Sequence, residues 1–310
     1  MTSSQTATVI RPLRFETPPE AEALPPYQPA GSHDRPDIDF DPQLERAIRR
    51  HIARQISREW QAMRPHRLLV IQGPGGGGKS EAVKVVASRA GTDLTFIAAG
   101  MIGGEGENSG VGVLHHYLLG STAIARVTGR PHLICVDDAD LSIFVTREDR
   151  EYQVDTDNTT GFLQHVADNR GEYTDASGAP IGLIFTGNDF RGLRETLKQR
   201  AVFYTHAPTW RETAARLERL AAPTSAFARR ALWRLVSKYR KQPLRFFVEV
   251  LAATAEVAVE PVLDGSPLDV AAIDQAIAAT RQGPLDVRAM FSIARARAAV
   301  VPTSFIPQWR

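Results

Sequence analysis

Cysteine, long apolar runs and surplus charge are all scarce in this chain of 310 residues. Cys135 is the only cysteine, so an intrachain disulfide is excluded and a reducing cytoplasm is the compartment that fits. Because Cys135 stands inside an apolar run, we expect a buried core thiol. No apolar run approaches the roughly 18 residues that a membrane-spanning helix needs, and the first residues lack the apolar stretch of a signal peptide. The sequence therefore predicts a soluble, cytoplasmic protein without a membrane partner.

Charge is also close to balance, with 37 Lys and Arg against 35 Asp and Glu and a formal net charge of +2. Electrostatics alone therefore do not indicate a nucleic-acid partner. The histidines show no metal-ligand spacing, since His115 and His116 are adjacent and would diverge on a helix. No Ser, His and Asp arrangement for nucleophilic catalysis can be argued either. What remains is ordinary globular composition, 43% hydrophobic and 23% charged.

The chain divides into four segments by composition and periodicity. Residues 1–40 are rich in Pro, Ser, Thr and Ala without a usable period, which predicts a disordered tail, either simply solvated or serving as a docking peptide. Residues 41–208 predict an α/β nucleotide-binding domain that begins with an amphipathic helix capped by Asp41. The apolar residues of that helix are Leu44, Ile48, Ile52, Ile56 and Trp60. Residues 209–298 predict a small helical lid domain and residues 299–310 a C-terminal tail.

Short apolar runs alternate with helical patterns in the first of these domains. Strands are predicted at 67–72, 93–99, 131–138, 181–189 and 201–208, and helices at 111–126, 156–170 and 190–198. Alternation of this kind predicts a parallel sheet with helices on both faces. Only helical patterns follow, at 209–221, 225–241, 243–258, 269–281 and 285–299. The predicted fold class is therefore α/β followed by a small all-α domain.

The segment "GPGGGGKSE" lies between the first predicted strand and a helical pattern. Gly73, four residues, then Gly78, Lys79 and Ser80 fit the spacing of a phosphate-binding loop, G-x-x-x-x-G-K-[ST]. Glycines let the backbone curl so that its N–H groups face phosphate oxygens, and the helix that follows adds its positive end. Lys79 would reach the β- and γ-phosphates of ATP, and the Ser80 hydroxyl would ligate Mg²⁺. The predicted cofactor-binding residues of this segment are Gly73, Pro74, Gly75, Gly76, Gly77, Gly78, Lys79, Ser80 and Glu81.

Acidic and amide side chains follow two later strands. Asp137 and Asp138 end "HLICVDD", and Asn188 follows "IFTG". The carboxyl ends of parallel strands meet at one edge of the sheet, so these side chains are predicted to lie beside the glycine loop. There Asp137 would hold Mg²⁺, Asp138 would orient or deprotonate the attacking water, and Asn188 would bond the water or the γ-phosphate. Taken alone, each segment also fits a solvated turn or a helix cap.

Arg200 stands between a predicted helix and the last predicted strand. Its planar fork of five donors could reach the γ-phosphate bound by a neighbouring subunit, as an arginine finger. The alternative is a surface arginine at the end of a helix.

These segments occur in an order that resembles the AAA+ ATPases, and within them the Rubisco activases of plants and cyanobacteria. The resemblance rests on "AAG" (98–100), "VDDAD" (136–140), "FLQHVADN" (162–169), "FTGNDF" (185–190) and "RAVFYTHAPT" (200–209), and it covers residues 67–215. It implies a phosphate-loop α/β module with a helical lid, assembled as a ring that is usually a hexamer. It also implies ATP and Mg²⁺ as cofactors and a protein client that the ring remodels. In the activases that client is Rubisco, from which ATP hydrolysis drives the release of inhibitory sugar phosphates.

The same resemblance gives roles to matching positions of this chain. They are Lys79 and Ser80 in the Walker A site, Asp137 and Asp138 in Walker B, Asn188 as sensor 1, Arg200 as the finger, Arg245 as the candidate for sensor 2, and Met101 and Ile102 in the first pore loop. For Met101 and Ile102 the alternative is packing onto the domain.

Two other classes of function stay open. A nucleic-acid-associated AAA+ regulator or loader would use a basic helix in the lid, whose cations are Arg229, Arg230, Arg234, Lys238, Arg240 and Lys241. A run of charge like this is usually a solvated helix face. The third class is a nucleotide-dependent scaffold with little turnover, because Asp138 stands where many relatives carry the longer Glu.

Overall fold

The computed structural model describes residues 27–35, 40–102, 109–141, 150–169, 171–223, 225–263, 271–272, 275 and 286–300. The strands are β1 (Tyr27–Gln28), β2 (Leu68–Gln72), β3 (Asp93–Ala98), β4 (His132–Asp137), β5 (Gly182–Gly187) and β6 (Ala201–Thr205). They form one sheet in the order β1-β3-β4-β5-β2-β6, in which β1 alone runs antiparallel to its neighbour. The predicted parallel sheet is thus confirmed, and the carboxyl ends of β2, β4 and β5 meet at one edge.

Helices cover both faces of this sheet. They are α1 (Pro42–Ile56), α2 (Arg58–Ala62), α3 (Lys79–Arg89), α4 (Ser109–Thr128), α5 (Arg150–Asp168) and the short α6 (Glu195–Lys198). Side chains alternate along β2, so that Leu69 and Ile71 pack with α1 and α3 while Leu68 and Val70 pack with α4 and α5. Cys135 is fully buried among the first of these groups, as expected, and burial raises the pKa of its thiol well above the ordinary value.

Within the part of the chain that the structure describes, four further helices with defined bounds follow the sheet: α7 (Trp210–Ala221), α8 (Ala226–Lys238), α9 (Leu244–Leu263) and α10 (Val287–Val300). Helix α7 begins with a capping box in which Thr209 and Glu212 satisfy each other's backbone N–H groups. Leu217, Leu232 and Phe247 are buried in a core that these helices make among themselves. The helical part after the sheet is thus confirmed. Most of the helix predicted at 269–281 lies outside the described residues.

Part of the predicted disordered tail belongs to the fold. Strand β1 pairs with β3, and the Tyr27 hydroxyl and Ala30 N–H donate to the buried carboxylate of Asp93 at 3.1 and 2.8 Å. Phe40 is buried against α1 and α3. The prediction is therefore wrong for 27–35 and Phe40, because a few specific contacts hold a segment whose composition lacks any period. Residues 1–26 and 36–39 lie outside the described part of the chain.

Two predicted helices are shorter in the structure. The helix that begins at Pro42 breaks at Ser57, whose hydroxyl accepts from the Trp60 N–H and caps α2. Ile56 and Trp60 are consequently 46% and 37% exposed, although their spacing predicted burial. The helix predicted at 190–198 forms only from Glu195, because residues 190–194 make a turn closed by Leu193 N–H to Phe190 O. Within the described residues, no helix is both long and apolar enough to cross a membrane.

Arg67, which immediately precedes β2, is the largest fully buried side chain and is 1% exposed. Its guanidinium donates to four backbone carbonyl oxygens: Nε to Ile181 at 2.6 Å, Nη1 to Val166 and Glu172 at 3.1 and 3.2 Å, and Nη2 to Tyr173 at 2.8 Å. These bonds tie the end of α5 and the segment after it to the central strands. A buried cation is tolerated here because its donors find acceptors.

We expect Arg67→Met to destabilise the fold strongly. Methionine fills the space of the stem but leaves several buried carbonyl oxygens without donors, at about 1–3 kcal/mol each, so the loss should reach about 3 kcal/mol. Urea denaturation measures it as a change in the free energy of unfolding. The matched change Arg46→Met, on the exposed side of α1, should stay within about 0.5 kcal/mol. Equal stability of the two variants would show that the carbonyl contacts of Arg67 contribute nothing.

Candidate functional site

The glycine loop at 73–78 joins β2 to α3 and lies tightly against two other segments. A β-carbon on Gly73 would come within 2.1 Å of the carbonyl oxygen of His206, directly after β6. One on Gly76 would come within 2.6 Å of the β-carbon of Arg245, in the first turn of α9, whose N–H donates to the Gly76 carbonyl oxygen at 3.3 Å. Glycine is therefore required here by close approach of the protein to itself, in addition to the curl predicted from the motif.

Lys79 begins α3 and points back into the loop. Its ammonium group donates to the carbonyl oxygens of Gly73 at 2.9 Å and Pro74 at 3.0 Å, and the residue is 6% exposed. Burial lowers the pKa of Lys79, while nearby carboxylates act in the opposite direction. The predicted phosphate-binding cation thus lies within the loop that it would serve.

Ser80 and Asp137, predicted to share a metal ion, are in direct contact. Their contact is a hydrogen bond from the Ser80 hydroxyl to Asp137 Oδ1, and the same oxygen accepts from the hydroxyl of Thr186 on β5. No three His, Cys, Asp or Glu side chains among the described residues are grouped to hold a metal. Mg²⁺ usually takes one or two carboxylates together with substrate phosphates, so Ser80 and Asp137 fit a Mg²⁺ that arrives with a nucleotide. Thr186 was not predicted as a site residue, because "TGND" by itself indicates a turn.

Asp138 follows β4 and adopts φ of 50°, a left-handed conformation that Asp tolerates better than most residues. The residue is exposed. Partial burial of the carboxyl group and the charges of Asp137 and Asp140 raise its pKa, and Lys79 opposes them. Asp138 therefore lies in the electrostatic range of both the loop cation and the metal-side carboxylate.

Asn188 follows β5 and faces the glycine loop. Its amide oxygen is buried, has no hydrogen-bond partner among the described residues, and lies 3.4 Å from where a β-carbon on Gly75 would be. Buried polar atoms are normally paired, so an unpaired one at this place is available to a ligand held by the loop. The structure brings Asn188 to the predicted edge.

Asp140 is a site residue that the sequence analysis did not single out. Its Oδ2 accepts from the backbone N–H groups of Asn188 at 2.9 Å and Asp189 at 3.1 Å. A β-carbon on Gly187 would come within 2.4 Å of Asp140 Oδ1. Asp140 thus fixes the turn that carries Asn188. The available signal was the third acidic residue of "DDAD", although no pattern in the sequence shows which backbone groups a carboxylate will bind.

Two predicted cofactor-binding side chains bond elsewhere. Glu81 is hydrogen-bonded at 2.9 Å to His33 of the N-terminal segment. Arg245 donates from Nε to Glu249 at 2.9 Å, and its side chain is 75% exposed, although its backbone contacts the loop. Both residues lie in the first turn of helices that meet the glycine loop.

Arg200 lies at the amino ends of the parallel strands, whereas the glycine loop lies at their carboxyl ends. It precedes β6, whose first residue pairs with Leu68 and whose last pairs with Gln72, next to the loop. The five residues of β6 span about 13 Å from one end of the strand to the other, at a rise of ~3.3 Å per residue. Arg200 donates to both oxygens of Asp168, at 2.8 and 3.0 Å. It is therefore not brought together with the other predicted site residues of the same chain.

The expectation that Ile102 belongs to a pore loop is wrong. Ile102 is 3% exposed and packs in the core with Leu114 and Val136, so it is not free to grip another protein. Met101 is 48% exposed. Residues 103–108, which follow, lie outside the described residues.

No family model matches this sequence, and no curated protein matches it. Two solved structures of the AAA domain of FIGL-1 are similar to the chain. The ADP-bound one has a TM-score of 0.58 and 15% identity over 90% of this chain and 89% of that one. The other has a TM-score of 0.55 and 13% identity over 88% and 91% of the two chains. The chain therefore has an AAA-type α/β fold with a helical part after the sheet.

We expect Gly73→Ala and Gly75→Ala to have very different effects. The methyl group of Gly73→Ala would overlap the His206 carbonyl oxygen, and overpacking of this kind costs about 2 kcal/mol or more. Gly75→Ala meets only ordinary contact with Asn188 and should change the free energy of unfolding by less than about 0.5 kcal/mol. Chemical denaturation of both variants tests the packing, and equal effects would contradict it.

Proposed function

We propose that this chain hydrolyses ATP with Mg²⁺, works as a ring of several copies and remodels a protein client. The main support is the convergence of Lys79, Ser80, Asp137, Asp138 and Asn188, from three segments, on the edge of the sheet beside the glycine loop. Solved structures with a similar fold include one that binds ADP.

The glycine loop and the first turn of α3 hold the phosphates in this proposal. Bound Mg·ATP supplies the phosphoanhydride bond and a divalent charge that offsets the negative charge of the phosphates. Backbone N–H groups and Lys79 bind phosphate oxygens, and Ser80 and Asp137 hold the metal. Thr186 orients Asp137 through its hydroxyl group.

Asp138 and Asn188 act on the attacking water. Asp138 accepts a hydrogen bond or a proton from that water, and the partial burial and neighbouring carboxylates that raise its pKa make it a better proton acceptor. Asn188 fixes the position of the water or of the terminal phosphate with its unpaired amide oxygen and its N–H groups. Asp140 keeps the turn of Asn188 in place.

Arg200 completes the site of a second copy. Within its own chain it lies at the end of the strands opposite to the glycine loop, so it can meet a bound γ-phosphate only across an interface between subunits. The hexamer is the size that the AAA+ resemblance suggests. Rubisco is the client suggested by "FTGNDF" and "RAVFYTHAPT"; the similar structures add nothing to that choice.

Asp140 offers a test of the site with a built-in control. Asp140→Ala removes the acceptor that fixes Asn188, and misplacement by ~1 Å can cost about 10²-fold in turnover. Asp140→Asn keeps a carbonyl oxygen that can accept from the same N–H groups. We expect steady-state ATPase assays to show kcat reduced for Asp140→Ala with little change in KM, and largely restored for Asp140→Asn. Equal loss in both variants would assign Asp140 a role through charge instead.

Mixing of two inactive variants tests the shared site. Lys79→Ala should lose ATP binding by calorimetry, whereas Arg200→Ala should bind ATP and lose about 10³-fold in hydrolysis. Mixed together, they should regain activity, because some interfaces then pair an intact loop with an intact arginine.

Arg194→Ala is the matched control for Arg200→Ala. Arg194 also pairs with a carboxylate of α5, that of Asp157, and its side chain is 50% exposed against 33% for Arg200. It should hydrolyse ATP normally, alone and in mixtures. Full turnover of Arg200→Ala at concentrations where the protein is oligomeric would exclude the shared-site mechanism.

A further inference from the structure

A strongly basic surface lies on α8, in the helical part of the chain. Residues 225–241, which contain α8, include six Lys and Arg and no Asp or Glu. We call the exposed cations of this segment the α8 basic surface; they are Arg230, Arg234, Lys238, Arg240 and Lys241. The chain as a whole has a net charge of only +2, so this concentration of charge is local.

The spacing of these cations fixes them on one side of the helix. Arg230, Arg234 and Lys238 are four residues apart, which places them in one row about 6 Å from each other along the axis. The opposite face is held in the helical core by Leu232 and Leu235. The helix cannot turn its charged row inward, so the row is a fixed feature of the surface.

These cations have no acidic partners in the described part of the chain. Arg229, their neighbour on α8, pairs with Glu218 at 2.8 Å. The five residues of the α8 basic surface make no salt bridge to a described carboxylate, and all five are exposed. Their charge is thus available to a partner.

A cleft continues the row beyond the end of α8. It has a volume of about 190 Å³ and is lined by Lys238, Tyr239, Arg240, Lys241, Gln242 and Ala298. Gln242, which is 8% exposed, lines the cleft together with three cations. Lys238 lies 5.6 and 5.8 Å from the ring centres of Tyr239 and Phe291. A concave surface lined by several cations suits an anionic group such as a phosphate.

We propose that the α8 basic surface binds the phosphodiester backbone of a nucleic acid. The row from Arg230 to Lys238 extends about 12 Å along the helix, which is longer than a single phosphate group and suits a chain of them. An anionic membrane fits less well, because α8 exposes one large apolar side chain, that of Phe227, and packs the rest of its apolar face in the core, whereas membrane-surface helices insert a whole apolar face. The contacts are to phosphates, so binding is expected to be independent of base sequence.

Fluorescence anisotropy with labelled single-stranded and duplex oligonucleotides of random sequence tests this proposal. They should exceed about 16 nucleotides, the upper site size of a single-strand-binding module. We expect binding at about 50 mM salt, with log Kd changing linearly with log salt by ~0.7 per phosphate contact for single strands and ~0.9 for duplex. Binding of neither oligonucleotide, or binding only to vesicles with anionic lipid, would overturn the proposal.

A pair of double variants separates this surface from net charge. Arg230→Ala/Arg234→Ala should lower the salt slope by about two contacts and weaken binding. Arg46→Ala/Arg50→Ala removes two exposed arginines with the same four-residue spacing on α1 and should bind as the unchanged protein does. Equal loss in both would mean non-specific attraction only and would overturn the proposal.

The nucleotide site is tested separately. Lys79→Ala should keep oligonucleotide binding, and Arg230→Ala/Arg234→Ala should keep ATPase activity, since α8 is not part of the glycine loop or the sheet edge. Failure of the ATPase proposal would therefore leave this one standing, and the reverse. Loss of oligonucleotide binding in Lys79→Ala would overturn the assignment to α8.

Discussion

The close approach of three backbone segments at the glycine loop is the contact on which the rest of the site depends. The loop passes between the carbonyl group of His206 and the first turn of α9 with no room for a side chain at Gly73 or Gly76. His206 is itself buried, and its Nε2 lies 3.0 Å from the Gly77 carbonyl oxygen. Burial lowers the pKa of His206, so its ring is neutral there at physiological pH. The glycine loop is therefore in direct contact with both the end of β6 and the helical part.

Much of this arrangement could be predicted because it depends on local patterns. The strands β2, β4 and β5 are short apolar runs, and the rule that carboxyl ends of parallel strands share an edge placed Asp137, Asp138 and Asn188 correctly beside the loop. Thr186, Asp140 and His206 were missed as site residues for a common reason. Each acts through hydrogen bonds or close contacts to a segment distant in sequence, and nothing in the periodicity records such partners. The roles of the residues are proposals that the geometry supports.

Apolar spacing was informative about burial only where the element was long enough. Leu44, Ile48 and Ile52 lie on one face of α1 and are buried, but Ile56, which continues their spacing, is the last residue of the helix and is 46% exposed. Ile102 shows the reverse case. An apolar residue among glycines suggests an exposed gripping loop by resemblance, whereas the 3₁₀ turn at Ala99–Met101 delivers Ile102 into the core. The backbone geometry of these three residues, and not the composition of the segment, determines that Ile102 is buried.

Strand β1 has a consequence for the solubility of the protein. It covers the free edge of β3 at Leu94 and Thr95 and adds a ring stacked 6.0 Å from His132. An uncovered edge strand offers its N–H and C=O groups to any other extended chain, which is the usual start of edge-to-edge aggregation. Tyr27 and Gln28 therefore pair with this part of the β3 edge and prevent another molecule from pairing there. The composition of their segment gave no reason to expect such a role.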